Sequence, residues 1–284
     1  MKVLVAGSRG YIGRHIVSTF IEHDVDVFTF QRECSSTKPS DKNVIAGDLS
    51  LRGSFDIVIN CARPHWSNYS PVEIAEIERK LLVELDTFAS ENAVKIHTSG
   101  TWLFGHANSE EARQFEHKPF HMVEPDKKTI ADILSRNWHI VYLPSLVYGG
   151  QSCQLKRILD ELPESSLTIA TPSVGFNQYV HVTDVARFYL TLPTQTTSSV
   201  RQHFIAEQGG FSPEDFASLL QRSQAVQDIK KVSWDEFRAV NGEDACDVER
   251  FNLTVPVSAQ FIQTCSVRHY IEQNLVNYTQ KTNQ

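Results

Sequence analysis

The 284-residue chain is 41% hydrophobic and 21% charged, with a formal net charge of −7. That acidic balance offers no basic face for nucleic-acid phosphates, and no apolar run approaches the roughly 20 residues of a membrane span. The cysteines, Cys34, Cys61, Cys153, Cys246 and Cys265, are odd in number and widely spaced, which suits reduced thiols in a cytoplasmic protein rather than a disulfide frame or zinc site.

The chain opens on a short apolar strand, Lys2–Ala6, entered directly from the N-terminus, which leaves no room for a cleavable signal peptide. The turn Gly7-Ser8-Arg9-Gly10-Tyr11-Ile12-Gly13 follows, and Ile12, Ile16 and Phe20 then recur at helical spacing. In this strand–turn–helix setting each glycine has a task. Gly7 permits the tight turn, Gly10 lets the backbone approach a pyrophosphate, and Gly13 lets the helix pack close to the sheet. The helix N-terminus adds N–H donors and a positive dipole end.

Further strands are expected at Val25–Phe30, Asn43–Ala46, Ile57–Asn60, Val94–Thr98 and His139–Leu143. Between the third and fourth of these, Pro71–Ala89 carries Ile74, Ile77, Leu81, Leu85 and Phe88 at helical spacing. Strands alternating with helices predict an α/β fold, a doubly wound parallel sheet with ligands at the carboxyl ends of its strands. Past Gly150 the rhythm changes. Helices are expected at Leu155–Leu162, Ala186–Leu192, Pro213–Gln221, Trp234–Val240 and Val267–Asn274, and extended segments at Leu167–Ala170, Phe176–Val182 and His203–Ala206. Thr194–Ser199 reads as a loop. This organisation gives a dinucleotide-binding Rossmann domain over residues 1–150 and a smaller substrate-binding lobe over 151–284, with segments near 178–206 returning to the sheet. His117 and His121 have helical metal-ligand spacing, but Pro119 stands between them, so no metal site is expected.

The second strand normally ends near a carboxylate that grips the adenosine ribose. Here Gln31-Arg32 stands at that end. With Arg9 in the glycine turn, Arg32 offers guanidinium groups to a 2′-phosphate, which favours NADP over NAD; surface arginines are the alternative. Asp48, before Leu49, is either an acceptor for the adenine amino group or a turn-forming Asp. After the fourth strand, Cys61-Ala62-Arg63 lets the backbone run beneath a cofactor.

Taken in order, Gly7-x-x-Gly10-x-x-Gly13, Gly47-Asp48-Leu49, Asn60-Cys61-Ala62, Thr98 to Gly105, Leu143 to Gly149 and Tyr179 to Ala186 form an ordered set. That set resembles the extended short-chain dehydrogenase/reductase family, the NAD(P)-dependent sugar epimerases and dehydratases, over roughly residues 1–210. The resemblance implies that the pocket after Pro144, including Val147, lines the nicotinamide and that the later lobe binds substrate. It also implies that the helix Pro71–Ala89 can join a homodimer interface. The catalytic positions depart from the pattern. The Ser or Thr expected five residues before Gly105 is Gly100, flanked by Ser99 and Thr101. The helical lysine fits Lys128, but Glu124 stands where the family has its tyrosine. A carboxylate followed by Pro125 at a helix N-terminus is favoured as an anion, which suits a cap or a base better than a general acid. Lys128 either holds the nicotinamide ribose or is an exposed helix lysine. Trp66, Trp102 and Phe104 either stack on a small-molecule substrate or pack within the protein.

Two functions are therefore expected of an atypical member. One is an NADP-dependent reductase or epimerase-like oxidoreductase on a small carbonyl or sugar-nucleotide ligand. The other is a catalytically silent NADP(H)-sensing protein.

Overall fold

A computed structural model describes residues 1–32, 42–195 and 200–278. Cys34 and positions 196–199 of the expected loop lie outside the described residues. In chain order the elements begin β1 (Lys2–Ala6), α1 (Tyr11–Glu22), β2 (Asp26–Gln31), β3 (Asn43–Ile45), β4 (Phe55–Asn60), α2 (Pro71–Phe88) and β5 (Ala89–Gly100). They continue with α3 (Ser109–Arg113), α4 (Asp126–Ser135), β6 (Trp138–Leu143), β7 (Leu146–Tyr148), α5 (Gln154–Asp160), β8 (Ser166–Thr171) and β9 (Asn177–His181). Last come α6 (Val182–Thr191), β10 (Gln202–Phe204), β11 (Gly210–Phe211), α7 (Pro213–Arg222), β12 (Asp228–Ser233), α8 (Trp234–Asn241), α9 (Glu243–Arg250) and α10 (Val267–Asn274).

The fold is α/β, built on a seven-stranded sheet in the order β10-β6-β5-β4-β1-β2-β3. The pairs β1–β2, β1–β4, β2–β3 and β4–β5 are parallel. The chain order reverses between β1 and β4, the switch point at which a doubly wound sheet opens a crevice for a dinucleotide. Ala6 pairs with Phe30 on one side and Asn60 on the other, so three chain segments leave the sheet at one level. The central strands are apolar on both faces, and every residue of β6 is buried, as a sheet covered on both sides requires.

The chain divides into two compact units, each drawn from separate stretches. The first comprises Met1–Ser99, Glu124–Tyr142 and Val185–His203. In it, α2 begins at a capping box, where Ser70 accepts from the Glu73 N–H and Glu73 accepts from the Ser70 N–H, with Pro71 at the first helical position. Ile74, Ala75, Glu78, Leu81, Leu82, Leu85 and Phe88 are its buried face. The second unit comprises Gly100–Val123, Leu143–Asp184 and Phe204–Gln284. It holds a small sheet, β11-β9-β7, and the parallel pair β8–β12. Tyr148, Leu155, Leu220, Val267 and Ile271 are among the residues of its core.

Some elements differ from expectation. The strand expected at Val94–Thr98 starts five residues earlier, at Ala89, because Phe55 pairs with Ala89 and Ile57 with Val94, leaving Ser90–Ala93 as an excursion opposite Asp56. Val182, expected at a strand end, is the first residue of α6. The helices α3 and α9 have no counterpart in the sequence expectations: both are short, with few apolar positions from which to read a period.

At the sheet edge, His139 Nδ1 lies 3.1 Å from His203 Nε2, with both rings buried. Burial pushes each histidine down to about 4, helped for His139 by His203 and for both by Arg201. Both therefore stay neutral when folded, while an unfolded histidine protonates near 6.5. The sign follows: the unfolded state binds more protons between pH 6.5 and 4, so stability is lost as pH falls through that window. Urea unfolding at pH 7 and pH 4.5 should show the wild type losing on the order of 2–3 kcal/mol more than His203→Gln, which removes one of the two titrations.

Candidate functional site

In the first unit, the backbone at the switch point is packed too closely for side chains. Gly7 has φ +80°, and a Cβ there would stand 2.6 Å from Ala62 N and from Cys61 C. A Cβ on Gly13 would collide with the Gly7 carbonyl. Gly7 therefore serves both the turn and the close approach of the β4 loop, while Gly13 seats α1 against the turn itself. The Gly10 N–H donates to the Gly7 carbonyl at 2.9 Å, and Arg14 braces the loop by donating to the Arg9 carbonyl at 2.8 Å. No side chain caps α1, and its first turn carries no acidic residue. The helix end thus carries its positive dipole with no acidic residue in its own first turn, an arrangement that suits an anion. Ser8, Tyr11 and Ile12 complete the turn and are half-buried.

Around this turn the structure places the other expected residues. Arg9 and Arg32 are exposed. Asp48 accepts from the Ser50 N–H at 2.9 Å and from the Ser50 hydroxyl at 2.6 Å, which holds its carboxyl below the ordinary range and starts the short 3₁₀ turn at Leu49. Cys61 accepts from the Thr98 hydroxyl at 3.2 Å, and burial pushes its thiol up to about 12, so it is a protonated packing group rather than a nucleophile. Thr98 also bonds the buried Tyr189 hydroxyl at 2.8 Å.

Asn60, whose side chain the sequence reading did not single out, fixes the β4 loop. Its Oδ1 accepts from the Ala62 N–H at 3.0 Å, and its Nδ2 donates to His97 Nδ1 at 3.1 Å. Burial, and secondarily Arg63, push His97 down to about 3, so it is a neutral acceptor. Arg63 bonds Glu78 at 3.2 Å and Asp126 at 2.7 Å, two buried carboxylates also absent from the expectations. Their signal in the sequence was Glu78 standing among the apolar positions of α2.

The expected acid–base residues are separated by the faces of α4. Asp126, Thr129, Ile130 and Ile133 are its buried face, whereas Lys128 is exposed. Lys128 lines a depression between α2 and α4 with Glu76, Arg79, Lys80, Val83 and Asp132. The face of α4 turned to Arg63 carries Asp126 instead. Glu124 is exposed just before the helix, its carbonyl accepting from the Lys127 N–H at 3.2 Å. Ser99 is half-buried at the end of β5, and Trp66 is 42% exposed with Arg63 5.2 Å from its ring centre.

In the second unit, Gly100 has ordinary extended backbone (φ −133°, ψ 157°), and a Cβ there would meet only the Leu143 carbonyl, at 3.8 Å. There is room for the hydroxyl side chain that the family pattern places at this position. Thr101 is buried, and its Oγ1 has no hydrogen-bond partner. Trp102 donates its indole N–H to Ser145 Oγ at 2.7 Å. Phe104 is fully buried with its ring 4.9 Å from His117 and 4.8 Å from Phe204, a core position that takes it out of the set able to stack on a ligand. Pro144 and Val147 are buried.

Residues 3–142 match a family described as the NAD dependent epimerase/dehydratase family. No curated protein matches the chain. Among solved structures, a UDP-glucose 4-epimerase from Thermotoga maritima with UDP-glucose is 14% identical, covers 100% of both chains and has a TM-score of 0.71. The human epimerase family protein SDR39U1 with NADPH is 14% identical over 97% of this chain and 99% of that one, with a TM-score of 0.71. MoeE5 with UDP-glucose and NAD is 16% identical over 100% of both chains, with a TM-score of 0.70. These likenesses establish a shared fold.

Two glycine substitutions should separate packing from vacancy. Gly13→Ala should cost about 1–3 kcal/mol in urea unfolding because the α1 backbone must move. Gly100→Ser should change stability by less than about 0.5 kcal/mol, since a Cβ there meets the Leu143 carbonyl at ordinary contact distance, 3.8 Å.

Proposed function

We propose that the chain, whose residues 3–142 match the NAD dependent epimerase/dehydratase family, is an NADP-dependent oxidoreductase acting on a small carbonyl or sugar-nucleotide ligand. The observation that carries the reading is the uncapped start of α1, held behind a glycine turn that admits no side chain at Gly7 or Gly13. Gly7 to Gly13 would hold the pyrophosphate by backbone N–H groups, with Ala62 packed beneath the turn. Arg9 and Arg32, both exposed, would receive the 2′-phosphate, since the end of β2 at Gln31 offers no carboxylate to repel it. Asp48 keeps only the acceptor capacity that Ser50 leaves for the adenine amino group.

A bound nicotinamide supplies or accepts hydride, and the chain's own residues have to orient the substrate and manage its proton. Thr101 and Trp102 are the second unit's candidates for touching substrate. Glu124 is exposed just ahead of α4, outside the buried setting of a general acid. Solvent or the substrate itself would then provide the proton. Lys128 on the outward side of α4 does not support a ribose-binding role, and with Val83 it supports instead the association of α2 and α4 with a second copy. The unpaired thiols Cys61, Cys153, Cys246 and Cys265 suit a reducing cytoplasm.

A catalytically silent NADP(H) sensor is the second reading, favoured by Gly100, where no hydroxyl is available. A panel of aldehydes, ketones and nucleotide sugars separates the two: substrate-dependent oxidation of NADPH supports the enzyme, and tight binding with no turnover across the panel supports the sensor. In calorimetry, Arg9→Ala with Arg32→Ala should weaken NADPH by about 10–100-fold, as expected for lost charge-assisted bonds. NADH should change little; equal losses for both coenzymes would remove the 2′-phosphate assignment. Glu124→Gln should leave any turnover within about threefold of wild type, well under the 10²–10⁴-fold effect of a general acid.

A further inference from the structure

We infer that Arg63, Glu78 and Asp126 form a clamp, with both carboxyls buried, that retains one proton at neutral pH, and that loss of this proton weakens nucleotide binding at the adjoining glycine turn. The geometry comes first. One guanidinium is shared between two carboxyls from different helices, Glu78 on α2 and Asp126 in the first turn of α4. Glu78 is 2% exposed and Asp126 5% exposed, and Asp126 Oδ1 is buried with no hydrogen-bond partner. The neighbouring titratable group on β5, His97, is neutral and adds no charge.

Two ionised carboxylates against one guanidinium would leave a net negative charge under the β4 loop. Burying such an uncompensated charge is costly, so one carboxyl keeps its proton. The charge belongs on Asp126. It makes the shorter bond to Arg63, 2.7 Å against 3.2 Å, and stands in the first turn of α4, where the helix dipole favours an anion. The proton then rests on Glu78, in keeping with burial pushing Glu78 up to about 8, against the opposing pull of Arg63 and with the support of Asp126. Burial also raises Asp126, although Arg63 opposes it.

The coupling to nucleotide rests on the cofactor reading above. Arg63 follows Ala62, whose N–H is bonded to Asn60 and lies where a Gly7 side chain would be. When Glu78 ionises, the clamp changes from neutral to singly negative beside the proposed diphosphate site. The anionic coenzyme is disfavoured there. By linkage, bound coenzyme would in turn hold the proton more tightly.

Glu78→Gln keeps the neutral shape of the protonated clamp and cannot titrate. In urea unfolding of the free protein, the wild-type unfolding constant relative to Glu78→Gln should rise about tenfold per pH unit from pH 5 to 8 and then level off. The sign follows because the folded state holds a proton that an unfolded glutamate has released. Asp126→Asn, which leaves Glu78 alone with Arg63, should remove the same slope and serves if the first variant does not fold. In fluorescence titrations, wild-type affinity for NADPH should fall roughly three- to tenfold from pH 7 to 9.5, while Glu78→Gln stays flat. Parallel unfolding profiles in wild type and variants would overturn the shared proton. An NADPH affinity with the same pH dependence in wild type and Glu78→Gln would overturn the coupling. Absence of NADPH binding at every pH would overturn the proposed function, and the unfolding profiles would still decide the clamp.

Discussion

Three backbones meet at the carboxyl end of β1 with no space for a side chain between them, and the first unit is organised around that contact. The register of β1 with β2 and β4 brings Gly7 level with Gln31 and Cys61. The left-handed turn at Gly7 carries the chain over the Cys61–Ala62 peptide, and Gly13 then seats α1 on the Gly7 carbonyl. A methyl group at Gly13 would push α1 off the turn, and one at Gly7 would run into the Cys61–Ala62 peptide. Asn60 holds the opposite wall by bonding the Ala62 N–H and leaning on a neutral His97. The N-terminus of α1 is aimed by packing, and its free charge sign follows from the absence of an acid in its first turn.

The chemistry beyond that contact is less conventional. A serine at position 100 would find room, since only the Leu143 carbonyl lies near. Sterics therefore do not explain the glycine. Thr101, one residue on, buries a hydroxyl without giving it a partner, a cost of about 1–3 kcal/mol that a structure sustains only when something is gained elsewhere. The helix α4 has turned its carboxylate Asp126 inward and its lysine outward. Arg63 bonds Asp126 at 2.7 Å, and Thr129, Ile130 and Ile133 bury the same face, so the ion pair and the apolar packing together fix the rotation of the helix.

Much of the architecture could be read in the sequence because it depends on local pattern. Apolar runs gave the strands of the main sheet, and helical spacing from Ile74 to Phe88 gave α2, whose start is closed by the Ser70–Glu73 capping box. The glycine spacing gave the turn. What escaped was decided by partners distant along the chain. Glu78 read as one charge on an amphipathic helix, yet its burial depends on Arg63, 15 residues away, and Asp126 lies 63 residues from that same arginine. Phe104 read as a candidate ligand contact, since nothing local reveals that His117 and Phe204 enclose it. Lys128 was placed by its spacing from Glu124, but helical spacing leaves rotation undetermined until the packed face is known.

Buried ionisable groups then set the stability against pH in opposite senses. His139 and His203 resist protonation down to about 4, so they penalise the folded state as acid is added below 6.5. Glu78 and Glu207 hold protons up to about 8 and about 7, chiefly because burial disfavours their anions, so they penalise it as pH rises above 4.5. Between about 4.5 and 6.5 the two effects oppose each other, with His97, held down to about 3, adding to the histidine side. Between about 6.5 and 8 the histidines are neutral in both states and the carboxyls set the slope, Glu207 ceasing to contribute before Glu78. Above about 9 the Cys61 thiol, which burial pushes up to about 12, takes over, because the folded state keeps a proton that an unfolded thiol releases. The carboxyl part of the alkaline limb therefore ends with Glu78, the partner of Arg63 beside the β4 loop.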